Sequence, residues 1–307
     1  MGRRNPAIGL IGAGTLGKAL AWALAAKGYR VVAACSRSKS SAEDLAARIP
    51  GCRTMASAQE LSDSVDLAFI TTPDQVIREV AGSVTWSPGQ GVVHCCGAAS
   101  TELLEPAAEQ GAVTGAFHPF QTLGGVASER EAEERFREIT IAVSGQGWLG
   151  DFLWDMASRL GGRPVSIPDA DRPLYHASAI LACGHVTALL RAAVEVWRAM
   201  GFTERQAMQS LYPLSRSTLE AVAAQGTTAA ATGPVVRGDA DTVRTHLEAL
   251  SSRAPELAPV YAALAAAALP LAADRGVDPG QVAAIKGLID RYADSVATVL
   301  TSEGQRV

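Results

Sequence analysis

A short apolar run that opens directly into a glycine-rich turn constrains this chain more than any other feature. Residues 7–11 are apolar, and Gly12, Gly14 and Gly17 follow in the pattern GxGxxG before an Ala- and Leu-rich helical period over residues 18–27. The pattern predicts a strand, a tight turn and a helix whose free N-terminal amides face a phosphate. Because a second β-branched run follows the helix, the motif predicts a dinucleotide-binding unit.

The first half of the chain alternates short β-branched runs with helical periods, and this alternation predicts a mostly parallel sheet covered on both faces. The predicted strands are residues 7–11, 30–34, 67–71, 92–95, 113–116, 139–143 and 164–167. From residue 169 onward every period is helical, with helices predicted over residues 171–200, 203–224, 241–251, 258–274 and 279–301. We therefore expect an α/β, Rossmann-type doubly wound domain over residues 1–166, followed by an all-α domain over residues 167–307.

Composition excludes several classes of partner. The 307 residues are 48% hydrophobic with a formal net charge of −4, so no positive field is present to attract nucleic acid or an anionic membrane. The longest uncharged stretch, residues 257–273, carries two prolines and is shorter than the roughly 20 apolar residues that cross a bilayer. The five cysteines show neither CxxC nor His–Cys metal spacing. We expect a cytoplasmic protein with a small-molecule partner and without metal, nucleic acid or membrane.

The end of the second predicted strand indicates which dinucleotide binds. An NAD site places Asp or Glu about 20 residues past the glycine turn, whereas this chain has Ser36, Arg37 and Ser38 there. Hydroxyl donors and a guanidinium suit a 2′-phosphate, so the sequence favours NADP. The alternative interpretation of Arg37 is a solvated loop charge.

The cofactor contacts expected from these patterns come from three segments at one edge of the sheet. Pro73 follows the strand over residues 67–71 and suits the start of a helix, with Thr72 beside it. A plain helix cap would explain Thr72 almost as well. The predicted cofactor-binding residues are Gly12, Gly14, Thr15, Leu16, Gly17, Ser36, Arg37, Ser38, Thr72 and Pro73.

Histidines are the first candidates for proton donation, and two of the five stand out. His118 follows the strand over residues 113–116 and is expected in a loop at the ligand edge of the sheet, as a catalytic or binding residue or as a structural loop histidine. His94 lies inside an apolar run and is most simply a core histidine. His176 lies early on the long helix over residues 171–200, on one stripe with Gly184, whose missing side chain permits close approach. An ordinary packing groove is the alternative for this stripe.

Two further polar residues suit the ends of a small substrate. Gln121 follows His118 in the same segment. Arg237 lies in a glycine-flanked loop, where its guanidinium is available to bind a carboxylate in bidentate fashion, or is a surface arginine at a turn. Asp239 in the same loop is a plausible cap for the next helix.

Four motifs together resemble a bacterial family that joins a Rossmann-like domain to a C-terminal helical domain of unknown function. They are GAGTLG at residues 12–17, HPFQT at 118–122, LYHA at 174–177 and TGPVVRGD at 232–239. More distant similarity extends to ketopantoate reductases, pyrroline-5-carboxylate reductases and deazaflavin-dependent NADP reductases. The resemblance implies NADPH-dependent reduction of a 2-oxo acid.

Compared with ketopantoate reductases, this chain departs where their long helix carries a lysine followed by two asparagines. If the helices correspond, His176, Ile180 and Gly184 occupy those positions. The leading hypothesis is therefore a 2-oxo acid reductase with His176 and His118 as catalytic residues and with Gln121, Gly184 and Arg237 at the substrate. The alternatives are an imine reductase and an NADP-binding sensor that catalyses nothing. The apolar helical half leads us to expect a homodimer.

Overall fold

The first half of the chain folds around a single sheet, as the alternating pattern predicts. The computed structural model describes residues 5–293, which divide into one compact unit up to Gly184 and another from His185 onward. The strands are β1 (Ile8–Ile11), β2 (Val31–Cys35), β3 (Arg53–Thr54), β4 (Leu67–Ile70), β5 (Gly91–His94), β6 (Val113–Pro119), β7 (Thr140–Gly145) and β8 (Arg163–Val165). All predicted strands are present within one or two residues, except that β6 extends three residues further. The two-residue β3 was not predicted.

The order of the strands confirms the doubly wound, mostly parallel architecture. The sheet runs β3-β2-β1-β4-β5-β6-β7-β8, and only the β6–β7 pair is antiparallel. Strand order reverses between β1 and β4, so a crevice opens beyond the carboxyl ends of these two strands, where open α/β sheets bind ligands. The sheet thus places the glycine turn after β1 beside the segment after β4.

Helices cover both faces of the sheet. They are α1 (Thr15–Ala26), α2 (Lys39–Ala47), α3 (Ala58–Ser64), α4 (Ile77–Ser83), α5 (Glu105–Ala108), α6 (Glu129–Phe136), α7 (Gly147–Arg159) and α8 (Arg172–Ala182). Leu67 and Phe69 of β4 pack in the core beneath α1 and α7, whereas Ala68 and Ile70 pack beneath α3 and α4. This alternation follows from the two-residue period of a strand and produces two apolar layers.

The second unit is entirely helical in its described part. Its helices are α9 (Gly184–Ala199), α10 (Glu204–Gln225), α11 (Thr227–Ala230), α12 (Ala240–Arg253), α13 (Ala258–Asp274) and α14 (Pro279–Ala293). Side chains from α12, α13 and α14 form its core, including Val243, Leu247 and Ile285. Asp239 caps α12 by accepting a hydrogen bond from the Thr242 amide at 3.0 Å, as predicted. The predicted end of the last helix, residues 294–301, lies outside the described residues.

The prediction of one continuous helix over residues 171–200 is wrong. The backbone leaves helical geometry at Cys183 (φ −124°, ψ −67°), which separates α8 from α9. Helical periodicity continues across this residue, so the apolar pattern alone did not reveal the break. The last strand, β8, ends at Val165 and the described elements after it are helical, whereas the two compact units divide after Gly184.

Two segments pass a membrane-span test of length and composition. In Asp169–Ala199 only 6% of the most apolar 18-residue window is buried, and in Pro255–Asp274 28% is buried. Core helices of soluble proteins pass the same test, so two such segments are weak evidence of a membrane protein. The expectation of a protein without a membrane partner stays a prediction.

Candidate active site

The three glycines of the opening motif serve three different physical purposes. Gly12 has φ +113°, a conformation that side chains other than glycine rarely adopt. A Cβ atom on Gly17 would lie 2.1 Å from the Gly12 carbonyl oxygen, so α1 packs onto the turn only without it. A Cβ atom on Gly14 would meet nothing within 4 Å, which leaves open space in front of the first turn of α1. The amides there have no acidic residue or side-chain cap to satisfy them.

A cavity of about 580 Å³ lies against this turn and is built by the segments that follow β1, β2 and β4. The predicted cofactor residues that line it are Gly12, Gly14, Ser36, Arg37, Thr72 and Pro73. Gly17, Thr15 and Leu16 belong to the first turns of α1 behind it, and Ser38 caps α2 by accepting a hydrogen bond from the Ser41 amide. Six of the ten predicted contacts therefore share one concave surface.

Two side chains in this cavity lack partners among the described residues. Arg37 is exposed and makes no hydrogen bond or ion pair with residues 5–293. The Oγ1 atom of Thr72 is buried without a hydrogen-bond partner, an arrangement that normally costs free energy. Both groups fit a ligand rich in phosphate and hydroxyl groups. Pro73 precedes a short 3-10 turn rather than a full helix, and α4 begins at Ile77.

A second polar cluster forms where β6 and α8 meet the segment after β5. The Nδ1 atom of His118 lies 2.9 Å from the hydroxyl of Tyr175, and the rings of His118 and His176 have centroids 5.9 Å apart. The prediction that His118 lies in a loop is wrong. The residue lies within β6, where it pairs with Ala142 of β7. Antiparallel pairing with β7 extends β6 to Pro119, beyond its predicted end at residue 116. The two predicted catalytic histidines are thus neighbours.

Gly97 defines the space between the two imidazoles. A Cβ atom on Gly97 would lie 2.7 Å from His118 Nε2 and 2.8 Å from His176 Nδ1. The two nitrogens are therefore no further apart than the sum of these distances. One oxygen atom can accept hydrogen bonds from two donors when they are less than about 6 Å apart. The Nδ1 atom of His176 is buried without a partner, so it is available for such an oxygen.

Burial keeps two histidines of this region, His118 and His94, neutral. Burial lowers the pKa of His118 to about 4, with further lowering by the charges of His176 and Arg172. Burial likewise lowers the pKa of His94 to about 4. His94 is fully buried, with Nδ1 accepting from the Cys96 amide at 3.1 Å and Nε2 at 3.0 Å from the Ser100 carbonyl. It is a core histidine, as predicted, and it shapes the segment that carries Gly97.

Arg172 and Tyr175 are members of the cluster that sequence analysis did not single out. The Arg172 side chain is completely buried, bonds Ser144 Oγ at 2.5 Å and Asp169 Oδ1 at 3.3 Å, and leaves Nη1 unpartnered. The sequence did hold one signal for Arg172. It lies four residues before His176, and residues with this spacing share a helix face. No pattern in the sequence indicates that an arginine at the first position of a helix is buried.

Acidification should destabilise the first unit through His94 and His118. Their pKa values near 4 lie below the ordinary 6.5, so the unfolded chain binds more protons between these values and stability falls as the pH falls through that window. From pH 7 to pH 5 the expected loss is roughly 2 kcal/mol for each imidazole. Urea unfolding at both pH values measures it. A His118→Asn variant should lose less than the wild type on acidification, and an equal loss would contradict the buried neutral state of His118.

The three residues predicted at the substrate have different local surroundings. Gln121 is exposed and its side-chain oxygen accepts a hydrogen bond from the Thr122 amide at 2.8 Å. Arg237 belongs to the second unit and is exposed there, on the 3-10 turn Val235–Arg237. A Cβ atom on Gly184 would meet only Ile180, at 3.6 Å. Their roles at a substrate stay predictions.

Comparison with solved structures places the fold among known oxidoreductases. A candidate NADP oxidoreductase from Bacteroides fragilis is 25% identical, with a TM-score of 0.70 over 86% of this chain and 97% of that one. A reductive aminase from Aspergillus terreus, in complex with NADPH and ethyl levulinate, is 14% identical, with a TM-score of 0.60 over 95% and 94% of the two chains. A 1-pyrroline-5-carboxylate reductase from Streptococcus pyogenes is 15% identical, with a TM-score of 0.56 over 94% and 99%. At 14–15% identity the likeness is one of fold.

Family comparison agrees with the four motifs. Residues 3–119 match the Rossmann-like domain and residues 139–268 match the domain of unknown function DUF2520. No curated protein matches the chain. The chain therefore combines a Rossmann-like domain with a DUF2520 domain, which confirms the resemblance drawn from its sequence.

Proposed function

We propose that this protein is an NADPH-dependent reductase of the carbonyl group of a small 2-oxo acid. The observation that carries the proposal is the pair of imidazole nitrogens, His118 Nε2 and His176 Nδ1, that converge beside Gly97. The cavity that follows β1 and β4 supports the choice of NADPH as cofactor. The oxidoreductases of the same fold support the reaction class.

The cofactor is held by groups that suit its phosphates. Gly12, Gly14, Thr15, Leu16 and Gly17 form the turn and the helix N-terminus that receive the pyrophosphate. Thr72 and Pro73, which line the cavity after β4, would contact the cofactor. When bound, NADPH supplies a hydride to the substrate.

Arg37 should determine the preference for NADPH over NADH. Its free guanidinium lines the cavity together with Ser36, and no acidic residue stands at the end of β2 to bind a 2′-hydroxyl. Arg37→Ala should raise the Kd for NADPH by about 10- to 100-fold, the worth of a charge-assisted contact, and leave the Kd for NADH unchanged. Fluorescence titration measures both constants.

The matched control is Lys39→Ala, which removes a neighbouring positive charge. The Lys39 side chain is 84% exposed, lies 3.6 Å from Glu43 and does not line the cavity. It should leave both constants unchanged. Equal weakening of NADPH and NADH by Arg37→Ala would show that Arg37 does not bind the 2′-phosphate.

The residues proposed to act on the carbonyl belong to the histidine cluster. The unpartnered Nδ1 of His176 donates a hydrogen bond to the substrate oxygen and polarises the carbonyl, and His118 binds the same oxygen. Gln121, Gly184 and Arg237 are proposed to position the remaining polar ends of the substrate, with Arg237 on the carboxylate.

Two alternatives compete with this proposal. Imine reduction is favoured by the fold likeness to reductases that are named for imine chemistry, because the same donors serve a C=N bond. A sensor that binds NADP without catalysis is favoured by the lack of the lysine found in ketopantoate reductases, since His176 stands there.

One assay distinguishes the three candidates. NADPH fluorescence is followed during incubation with a panel of 2-oxo acids and cyclic imines. Oxidation with oxo acids supports the proposal, and oxidation with imines alone supports the imine reductase. Binding without oxidation by any compound supports the sensor.

A second copy of this chain is proposed to cover the apolar helices. Large side chains exposed on α8 and α10 include Leu174, Leu181, Leu214 and Leu219, and little of the apolar segment Asp169–Ala199 is buried. Such surface favours an interface between copies. We propose a cytoplasmic homodimer, with residues 167–307 as its helical substrate and dimerisation domain. Sedimentation should give twice the 31.8 kDa chain mass, and Leu219→Glu should lower it.

A further inference from the structure

The contact between His118 and Tyr175 has the geometry of a proton relay. The Tyr175 hydroxyl lies 2.9 Å from His118 Nδ1, and the two rings meet edge to face at 5.5 Å and 82°. Phe120 holds the tyrosine ring from another side, at a centroid distance of 5.0 Å. The opposite nitrogen of the same imidazole, Nε2, faces the space beside Gly97. One imidazole thus joins the tyrosine hydroxyl to the proposed position of the substrate oxygen.

Both members carry the protons that such a relay needs at neutral pH. The depressed pKa of His118 keeps its ring neutral, so one nitrogen donates while the other accepts. Burial raises the pKa of Tyr175 to about 12, so its hydroxyl stays protonated. A hydroxyl that donates to Nδ1 leaves the ring hydrogen on Nε2, toward the substrate.

We propose that Tyr175 is the proton source of the reduction and that it acts through His118, which hands its Nε2 proton to the substrate oxygen while it accepts the tyrosine proton at Nδ1. The inference rests on the proposed function. In this proposal His118 donates a proton from its neutral form. Tyr175 fixes the tautomer of His118 and replaces the proton that His118 gives up.

The step balances with NADPH and water as the other reactants. The carbonyl carbon gains the hydride that NADPH would give up in becoming NADP⁺, and the C=O π electrons move to the oxygen, which takes the proton from His118 Nε2. The Tyr175 O–H bond breaks as a new N–H bond forms at His118 Nδ1, so His118 ends neutral with its proton on the other nitrogen. The tyrosine oxygen holds the resulting negative charge until water returns a proton, and Tyr175 is partly exposed to solvent.

Arg172 is suited to support that transient charge. Its guanidinium is buried with Nη1 unpartnered, and its charge lowers the pKa of Tyr175 against the larger effect of burial. It lies outside the relay and acts on it only through its field. A buried cation is more effective there than an exposed one, because the local dielectric constant is low.

The decisive variant is Tyr175→Phe, which removes the hydroxyl and keeps the ring contacts with His118 and Phe120. Two substrates are compared: the 2-oxo acid that the wild type reduces fastest, and the 1-methyl-1-pyrrolinium cation, a permanently charged iminium that accepts a hydride and needs no proton. Turnover of the oxo acid should fall by about 10²-fold, whereas iminium turnover and the Kd for NADPH should stay within about threefold.

A readout independent of turnover is the tautomer of His118 in the protein without cofactor. Nitrogen-15 NMR should place the ring proton on Nε2 in the wild type, and Tyr175→Phe should shift it toward a mixture of tautomers. If the wild type does not reduce the iminium, the solvent deuterium isotope effect on oxo acid turnover is measured instead. The relay requires an effect of about twofold in the wild type and a different effect in Tyr175→Phe.

The chain offers a closely matched control in the second unit. The Tyr261 hydroxyl lies 2.9 Å from His246 Nδ1, with ring centroids 5.7 Å apart at 86°, so α12 and α13 reproduce the same tyrosine–histidine pair. Tyr261→Phe should change neither turnover. The relay would be overturned if Tyr175→Phe lost turnover equally with both substrates or with neither. A ring proton on Nδ1 of His118 would overturn it as well. A wild type that reduces no compound would instead refute the proposed function, and the relay with it.

Discussion

Replacing Gly17 by alanine is expected to abolish NADPH binding and to lower the free energy of unfolding by about 3 kcal/mol. The new Cβ atom would lie 2.1 Å from the Gly12 carbonyl oxygen and 2.8 Å from Thr71 Oγ1. Thr71 itself donates a hydrogen bond of 2.6 Å to that carbonyl, so the clash is with a braced backbone that has no room to relax. Overpacking of this kind costs on the order of 1–3 kcal/mol or more.

Gly14→Ala is the informative counterpart, because it should separate binding from folding. Its Cβ atom would meet nothing within 4 Å and its φ of −75° suits any residue, so stability should be unchanged. The methyl group would project into the space where a pyrophosphate approaches, and the Kd for NADPH should rise by about 10- to 100-fold. Urea unfolding and fluorescence titration of both variants test the pair. Wild-type affinity in Gly14→Ala would place the pyrophosphate elsewhere.

His176→Ala is expected to lower turnover by about 10²- to 10⁴-fold while leaving the Kd for NADPH unchanged. Its Nδ1 atom is buried and directed at the space beside Gly97. No described residue forms a hydrogen bond with this nitrogen. Loss of a donor to a developing oxyanion appears chiefly in kcat.

The control for this variant is His185→Ala. His185 is exposed and has no part in the proposed mechanism, so its removal should leave turnover unchanged. Steady-state kinetics with the fastest 2-oxo acid measures both variants. Equal turnover in His176→Ala and wild type would remove His176 from the mechanism.

The cofactor cavity could be predicted from sequence because its chemistry is local. Gly12, Gly14 and Gly17 lie within six residues of one another, and each is required by the backbone of a single strand–turn–helix unit. The segments after β2 and β4 join them because parallel strands end at the same edge of a sheet. Only a doubly wound, mostly parallel arrangement of the strands was needed, and the alternating pattern predicts that arrangement.

The histidine cluster could be predicted only in part. His118 and His176 are separate candidates in the sequence, 58 positions apart, and no periodicity relates a residue on β6 to one on α8. Tyr175 precedes His176 in the same motif, yet its contact with His118 depends on how the two elements pack. The position of His118 within β6 depends on pairing with β7, and pairing between distant strands is a tertiary property.

The amino-acid sequence by itself determined the strand–turn–helix unit, the doubly wound sheet and the helical second half, because each follows from short-range periodicity and from glycine geometry. Tertiary structure alone decided the break at Cys183, the burial of Arg172 and the meeting of Tyr175, His118 and Gly97. These features depend on which surfaces pack together and on how far a buried charge or imidazole is removed from water. Such distances are set by the whole fold and leave no trace in local spacing.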